Sequence, residues 1–479
     1  VKVNVIDADD IYKEFAYGKK HPNSIKDFIK FAYNNWKNKK LTDVLLVGDA
    51  SWDGRATLKI KESINWLPTF GYPSSDWWFT LMDGPDDRLG DINIGRIPAN
   101  NISDIQNVVD KLIDYDTTAA RPWMKEYLMI TGGYDEREIS WFYNDTYDYF
   151  HNLISDAPFG GKVSYVKKTM EGATSNLQAN EIIQHINQGK MMTIYVGHAS
   201  AEIFEMDGWE EQNLSNKNRY TVLSTISCNT GAFSEPQFRY SRNERYLLAK
   251  EKGTVASLGS TAVGFVGPHL DLIHKFTKFL VDTAVIERKT GQLFSNAKSL
   301  NPQISIGQKL TNWHYNFLGD PLMRLRIEEK PELYFLTNNI QIKNQNNSTN
   351  FNENDTKALI SGTIFNNGLA TDERFDLLLI REYEGKIDTL SFYVPGLYFS
   401  QSFLFDLNIA SMPGIHRCNI VIDPKNKVFE TNESNNIYSF NITVYKDGLL
   451  VLDPKANTNI DINNKLFRFL KPLSDEQKF

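Results

Sequence analysis

Two apolar segments of the chain each end at a side chain that can take part in covalent catalysis. MMTIYVGHAS (191–200) contains His198, and TVLSTISCNTGAFSEP (221–236) contains Cys228. Apolar runs of this kind are typical of buried parallel strands. In an open α/β sheet, chemistry collects at the C-terminal ends of the strands. We therefore expect two neighbouring strands to bring an imidazole and a thiol to the same edge of a sheet, as a cysteine peptidase requires.

The chemistry of a thiol nucleophile defines what else the site needs. Cysteine reacts as the thiolate, so a neighbouring base must take its proton, and His198 is the candidate base. The oxyanion that forms on attack needs two donors, for which the backbone N–H groups of Cys228 and Ala199 are candidates. Thiol chemistry of this kind needs no cofactor. Taken singly, a buried Cys or a His at a strand end is more often structural, and only their joint placement favours catalysis.

The elements around these segments predict an α/β fold with a mainly parallel sheet and helices on both faces. We expect an N-terminal α/β subdomain over 1–120 and a catalytic subdomain over 121–330. The predicted strands are 43–49, 126–131, 162–168, 192–198, 221–228 and 253–260, and the predicted helices include 102–116, 139–156, 179–189 and 269–285.

The composition changes near Pro331. Residues 331–446 are rich in Asn and show short alternating stretches separated by turn signals, a pattern that predicts an all-β, Ig-like sandwich. Cys418 alternates with apolar neighbours there and is expected in the core. Residues 447–479 are expected to form a linker and the start of a further module.

Charge and cysteine content exclude several classes of protein. A net charge of −7 argues against nucleic acid as the main partner, and no apolar run reaches the roughly 18 residues of a membrane span. Two distant cysteines exclude a disulfide framework and a Cys-based zinc site. No secretory signal is visible. Because the chain begins without Met, we expect it to be part of a longer precursor.

Several segments resemble the gingipain-type cysteine peptidases, which have a caspase-like fold. YVGHAS and SCNTGAF are similar to the family's His and Cys motifs, 74–99 to a stretch that ends in Ile-Gly-Arg, and NFLGDPLMRL (316–325) to the end of its peptidase domain. Residues 10–28 look more specifically like the PorU-type sortases of the type IX secretion system. The resemblance covers residues 8–327. The segment VFETNESNN (428–436) is similar to a bacterial cell-adhesion-related domain of the Ig-like class.

The resemblance implies a catalytic triad. His198 and Cys228 match the family's catalytic pair, and an acidic residue upstream of the histidine supports the imidazole. The aligned position is Tyr134, so the acid is expected at Asp135 or Glu136, although DERE is also an ordinary charged helix start. Ala199 stands where the family has glycine.

An acidic run precedes the Ile-Gly-Arg motif and is a candidate calcium site. Carboxylates are suitable ligands for Ca²⁺, and gingipain-like domains bind structural calcium, but a solvated acidic loop is the alternative. The candidate ligands are Asp83, Asp86, Asp87 and Asp91, with Asp76 close by in sequence.

Substrate-binding residues are expected in two places. The segment between His198 and Cys228 offers Trp209 and its acidic neighbours Glu205, Asp207, Glu210 and Glu211 for contact with a peptide. Asp145, in the helix after the acidic strand, is a candidate for receiving a basic side chain. Each of these is also an ordinary surface position.

The leading hypothesis is a cysteine endopeptidase that removes C-terminal sorting domains of secreted proteins through a thioester. By resemblance, its partners are a polypeptide substrate, a lipopolysaccharide-derived amine acceptor and secretion-system components, and its location is the outer surface of a Gram-negative bacterium or the medium. The alternatives are a secreted digestive protease of the same fold and an inactive surface scaffold.

Overall fold

The structure is a computed structural model that describes residues 2–36, 40–55, 57–60, 64–84, 86–169, 176–284 and 287–446. Its N-terminal two thirds are organised around one large sheet. The strands of this sheet are β1 (Asp43–Val47), β2 (Asn93–Ile97), β3 (Glu126–Thr131), β4 (Lys162–Lys167), β5 (Met192–Val196), β6 (Thr221–Ile226), β7 (Thr254–Ser260) and β8 (Tyr315–Gly319).

The order of the strands in this sheet is β1-β2-β8-β7-β6-β5-β3-β4. Every neighbouring pair is parallel except β7 and β8, which confirms the predicted mainly parallel sheet. The six strands expected from the sequence are all present. β2 and β8 were not predicted, because a polar residue interrupts the apolar run of each, Arg96 in β2 and Asn316 in β8.

Helices cover both faces of the sheet. Within the described residues they are α1 (Ala8–Ala16), α2 (Pro22–Asn35), α3 (Ile102–Thr117), α4 (Glu136–Ser155), α5 (Asn176–Gln188), α6 (Arg242–Leu248), α7 (Val266–Val281), α8 (Thr290–Ser299) and α9 (Ile306–His314). On one face α4, α7 and α8 contribute to a large core with Phe142, Phe276 and Phe294. On the other face α5 packs with Trp209 and Tyr246. Both cores leave the strand ends free for loops.

A buried ion pair organises the loops beside β2. The Arg96 guanidinium, fully buried, donates to both carboxylate oxygens of Asp76 at 2.6 and 2.8 Å. It also donates to the carbonyl oxygens of Gly48 and Leu67. A buried charge is tolerated when it is paired and hydrogen-bonded, which explains why an arginine occurs in the middle of a buried strand.

The C-terminal part is an all-β sandwich, as predicted. One sheet has the order β10-β12-β15 with β9 paired to β12, and the other has the order β11-β17-β16-β13-β14. Cys418 lies in the core of the sandwich, where burial raises the pKa of its thiol to about 12. The strands are β9 (Leu333–Phe335), β10 (Gln341–Asn344), β11 (Phe351–Asn352), β12 (Lys357–Asn366), β13 (Phe375–Tyr383), β14 (Lys386–Val394), β15 (Ser400–Asn408), β16 (Gly414–Ile422) and β17 (Ile437–Tyr445).

Lys125, immediately before β3, connects the two parts of the molecule. Its side chain is fully buried, and its ammonium donates to the carbonyl oxygens of Asn366 (3.2 Å), Gly368 (2.5 Å) and Tyr398 (2.8 Å), all in the sandwich. Burial lowers the pKa of Lys125 to about 7. The sandwich is therefore docked directly on the strand that leads to the candidate site. No helix among the described residues has the length and apolar character needed to cross a membrane.

Glu244, in the first turn of α6, gives a prediction for stability. Its carboxylate accepts from Ser241 N at 2.6 Å, and burial raises its pKa from 4.5 to about 7. A group whose pKa is higher in the folded state stabilises the fold in its protonated form. This stabilisation is fully present below the pKa of the unfolded state and is lost as the pH rises through the pKa of the folded state. Relative to Glu244→Gln, which keeps the acceptor and does not titrate, the wild-type free energy of unfolding should fall by about 3 kcal/mol between pH 4.5 and 7.

Denaturant unfolding at several pH values measures this difference. Glu14→Gln, at an exposed position of α1, is the control and should show no such pH-dependent difference. A constant difference between the wild type and Glu244→Gln across this pH range would contradict the assignment.

Candidate active site

The two residues singled out by the sequence lie at the same edge of the sheet. β5 and β6 are adjacent and parallel, and Val196 is paired with Ile226. His198 and Cys228 each follow this pair by two residues, and both are half-buried. The Gly197 N–H still donates to Ile226 O at 3.4 Å, so the strands stay together up to the site.

A carboxylate and an aromatic ring hold the His198 imidazole. Nε2 lies 3.1 Å from Glu138 Oε2. The Tyr134 ring stacks on the imidazole with centroids 3.8 Å apart and planes 9° apart. Glu138 Oε2 also accepts from Tyr134 N at 2.7 Å, so one carboxylate orients both partners of the stack. With Nε2 engaged, Nδ1 is the ring nitrogen left for proton exchange.

The acid that contacts His198 is thus neither of the two that the sequence suggested. Asp135 is the N-cap of α4 and accepts from Glu138 N at 2.8 Å, while Glu136 is exposed in the first helical turn. The helix predicted from the sequence begins at residue 139, so the DERE segment was not divided into a cap and a first helical turn. Asp135 and Glu138 have the D-x-x-E spacing of a helix N-terminus, and this signal places Glu138 inside the helix, on the turn nearest the site.

A second carboxylate, that of Glu205, fixes the backbone at His198 and in the loop after β3. Glu205 accepts from Gly133 N at 3.0 and 3.1 Å and from His198 N at 3.2 Å. It also forms an ion pair with Lys168, and both side chains are at most 9% exposed. Lys168 donates in turn to Gly133 O at 2.9 Å. Glu205, expected as a possible peptide contact, instead ties the loop after β3 to the loop after β5.

Trp209, a candidate peptide contact from the sequence, lies in the core instead. Its side chain is fully buried and stacks on Phe204, with centroids 4.8 Å apart and planes 4° apart. Its Nε1 donates to Met206 O at 2.6 Å. Two of its acidic neighbours, which had suggested an exposed position, are engaged in ion pairs. Asp207 and Glu210 both pair with Arg242. Trp209 belongs to the core under the loop.

A backbone N–H group contacts the thiol of Cys228. Cys228 Sγ accepts from Gly264 N at 3.3 Å. The N–H groups of Cys228 and Ala199 form no hydrogen bond with any other described residue, so both remain available for an oxyanion. Asn229, directly after Cys228, adopts the left-handed conformation with φ +57°.

Asp145 lies on α4, seven residues beyond Glu138 and therefore about two turns further along the helix. Its carboxylate accepts from Trp141 Nε1 at 2.7 Å and is partly exposed.

Three of the four candidate calcium ligands lie together. Asp83, Asp87 and Asp91 each place a carboxylate oxygen within 4.8 Å of the others. Asp86 is exposed and outside this group. Two of the carboxylates also order the loop itself: Asp87 accepts from Asp83 N at 3.0 Å, and Asp91 accepts from Met82 N at 3.1 Å. Asp76 is buried against Arg96 instead.

A thiol and a carboxylate-backed imidazole at the ends of adjacent parallel strands define the class of cysteine peptidases with an α/β fold. The profile of Peptidase family C25 matches residues 1–326, and the chain belongs to that family, the gingipain family. The profile of the CARDB domain matches residues 337–440, within the sandwich.

Solved structures agree with this fold. The complex of the pro- and mature domains of Porphyromonas gingivalis RgpB is similar at 18% identity, with a TM-score of 0.53, covering 90% of this chain and 92% of that one. The Arg-specific cysteine proteinase gingipain R (RgpB) is also similar at 18% identity, with a TM-score of 0.52, covering 91% and 95%. A search of curated proteins finds no significant match.

The contact between Glu138 and His198 leads to a prediction. Glu138→Gln keeps the shape but removes the charge that stabilises an imidazolium, and it should slow inactivation of Cys228 by an irreversible peptidyl thiol reagent about 10²-fold or more. Glu136→Gln is the matched control, since it removes an exposed carboxylate two residues away and should leave the rate unchanged. Equal rates of Cys228 inactivation in the two variants would show that Glu138 does not assist the reaction.

Proposed function

We propose that the chain is a cysteine endopeptidase in which Cys228 is the nucleophile, His198 the base and Glu138 the group that orients the base. The observation that carries the proposal is the 3.1 Å contact between Glu138 Oε2 and His198 Nε2, beside a thiol on the adjacent strand. The family already assigns the reaction class, peptide-bond cleavage by a thiol.

In the proposed mechanism His198 Nδ1 takes the proton of the Cys228 thiol, and Sγ attacks the carbonyl carbon of the scissile bond. A C–S bond forms, and the electron pair of the carbonyl moves to oxygen. The Cys228 and Ala199 N–H groups stabilise this oxyanion. When it collapses, the C–N bond breaks, and the imidazolium gives its proton to the leaving amine. A thioester on Cys228 remains.

The thioester is then released by water or by an amine. Water gives hydrolysis, and an amine gives transfer of the acyl group, with His198 again taking the proton of the attacking group. We propose the sortase-like outcome, in which the substrate is a secreted protein with a C-terminal sorting domain and the acceptor a lipopolysaccharide-derived amine. Support comes from the resemblance of residues 10–28 to the PorU-type sortases of the type IX secretion system.

The same resemblance leads us to propose a location on the outer surface of a Gram-negative bacterium, in contact with secretion-system components. A digestive protease with the same site remains the alternative. The contact of Glu138 with the imidazole argues against the third hypothesis, an inactive scaffold. Asp145 is proposed as a substrate contact on the side of α4 that bears Glu138.

We also propose that Asp83, Asp87 and Asp91 hold a calcium ion, with backbone carbonyls and water completing the six to eight oxygens that Ca²⁺ needs. At a calcium concentration 100 times the Kd, binding should raise the free energy of unfolding by about 2.7 kcal/mol. Asp83→Asn should reduce this effect, whereas the neighbouring Asp86→Asn should retain it. Thermal unfolding with calcium and with a chelator measures both, and identical calcium responses in the two variants would refute the site.

The function itself is tested with a fusion protein that ends in a sorting domain. The wild-type chain should release the sorting domain, and Cys228→Ala should not. With an added primary amine, the intact mass of the processed protein should correspond to the amide rather than to the free acid. Release as the free acid alone would reject transfer. Cleavage of a generic peptide library without processing of the fusion would favour the digestive protease.

A further inference from the structure

The loop between β7 and α7 contacts the nucleophile directly. Its Gly264 N–H donates to Cys228 Sγ at 3.3 Å, a normal length for a hydrogen bond to sulfur. α7 begins two residues later, at Val266, so the positive end of a 16-residue helix directly follows this donor in the chain. Neither feature was expected from the sequence, and the mechanism above does not use them.

The surroundings of Gly264 leave no room for a side chain. A Cβ at this position would lie 2.4 Å from Ser227 O and 2.6 Å from Cε1 of His269. The first of these atoms is backbone and cannot give way cheaply. His269 is fully buried, and burial lowers its pKa well below the usual value, so it is a neutral ring packed beneath the loop. The amide of Gly264 is thus held where only glycine allows it to be.

Further hydrogen bonds fix the loop relative to the nucleophile. Asn229 N donates to Ala262 O at 2.8 Å, which joins the segment after Cys228 to the loop. The Thr261 hydroxyl donates to Ser74 O at 2.6 Å. The loop is therefore anchored on both sides of the site, and the donor to Sγ is preorganised.

We propose that the Gly264 N–H is a further catalytic group, which stabilises the Cys228 thiolate and orients Sγ for attack. Hydrogen bonds from backbone amides to an anion are strengthened by its charge, and a helix N-terminus favours a cysteine thiolate. The role of His198 is then to move the proton, while part of the stabilisation of the thiolate comes from the loop. This inference rests on the proposed function, because it takes Cys228 as the nucleophile.

The test compares Gly264→Ala with Gly267→Ala. Gly267, three residues further on in α7, has no atom within 4 Å of a Cβ and is a matched control. Alkylation of Cys228 by iodoacetamide, followed by mass mapping, should slow about tenfold to a hundredfold in Gly264→Ala and remain unchanged in Gly267→Ala. In a His198→Ala background, the alkylation rate should fall only part of the way, and adding Gly264→Ala should remove the remainder.

A second variant separates loss of the donor from a misplaced loop. Replacing the peptide bond between Val263 and Gly264 with an ester deletes the N–H without adding a side chain, and it should slow alkylation to a similar extent. Unfolding temperature is measured for each variant, and unchanged stability with slowed alkylation supports the proposal.

The outcomes distinguish the inference from the function on which it rests. If wild-type Cys228 is activated but the ester and Gly267→Ala variants react alike, the role of Gly264 is overturned and the Cys–His pair stands. If wild-type Cys228 reacts no faster than a cysteine in a short peptide, and His198→Ala changes nothing, the proposed function falls and this inference falls with it.

Discussion

The parallel register between β5 and β6 is the constraint on which the rest of the site depends. Side chains alternate between the two faces of a strand, so a slip of one residue would turn the residues of one strand to the opposite face. With Val196 opposite Ile226, His198 and Cys228 leave their strands at the same height. Both strands are buried throughout, so a slip would also disturb the packing of the two cores. The stability of the fold and the geometry of the site are therefore fixed by the same contacts.

The loops that follow the strands add precision to this register. Glu205 accepts hydrogen bonds from backbone groups of two different loops, and its charge is balanced by Lys168. A buried ion pair contributes little net stability but fixes geometry when its hydrogen bonds are satisfied. The carboxylate of Glu138 therefore meets the imidazole of His198 from the first turn of α4, which follows a loop whose position is already fixed. One acid acts on the imidazole, and the other acts on the backbone beneath it.

The sequence predicted the framework better than the contacts. Long apolar runs identified β5, β6 and their neighbours, because strands buried on both faces have a continuous apolar signal. β2 escaped detection because Arg96 interrupts it, and only the fold supplies Asp76 as its partner. Trp209 looked exposed beside acidic residues whose charges are in fact matched by Arg242. The acid was placed two or three residues too early because the start of α4 was not recognised. The errors at Arg96 and Trp209 are pairing errors, since pairing between distant segments is what a single sequence does not contain, whereas the position of the acid followed from a local helix start.

The three hydrogen bonds from the Lys125 ammonium to carbonyl oxygens of the sandwich have a consequence for the site. The sandwich binds the side chain of Lys125, directly before β3. The other end of β3 leads within a few residues to Gly133, Tyr134 and Glu138. β3 therefore connects the contact with the sandwich, at its N-terminal end, to the residues that hold the imidazole, at its C-terminal end.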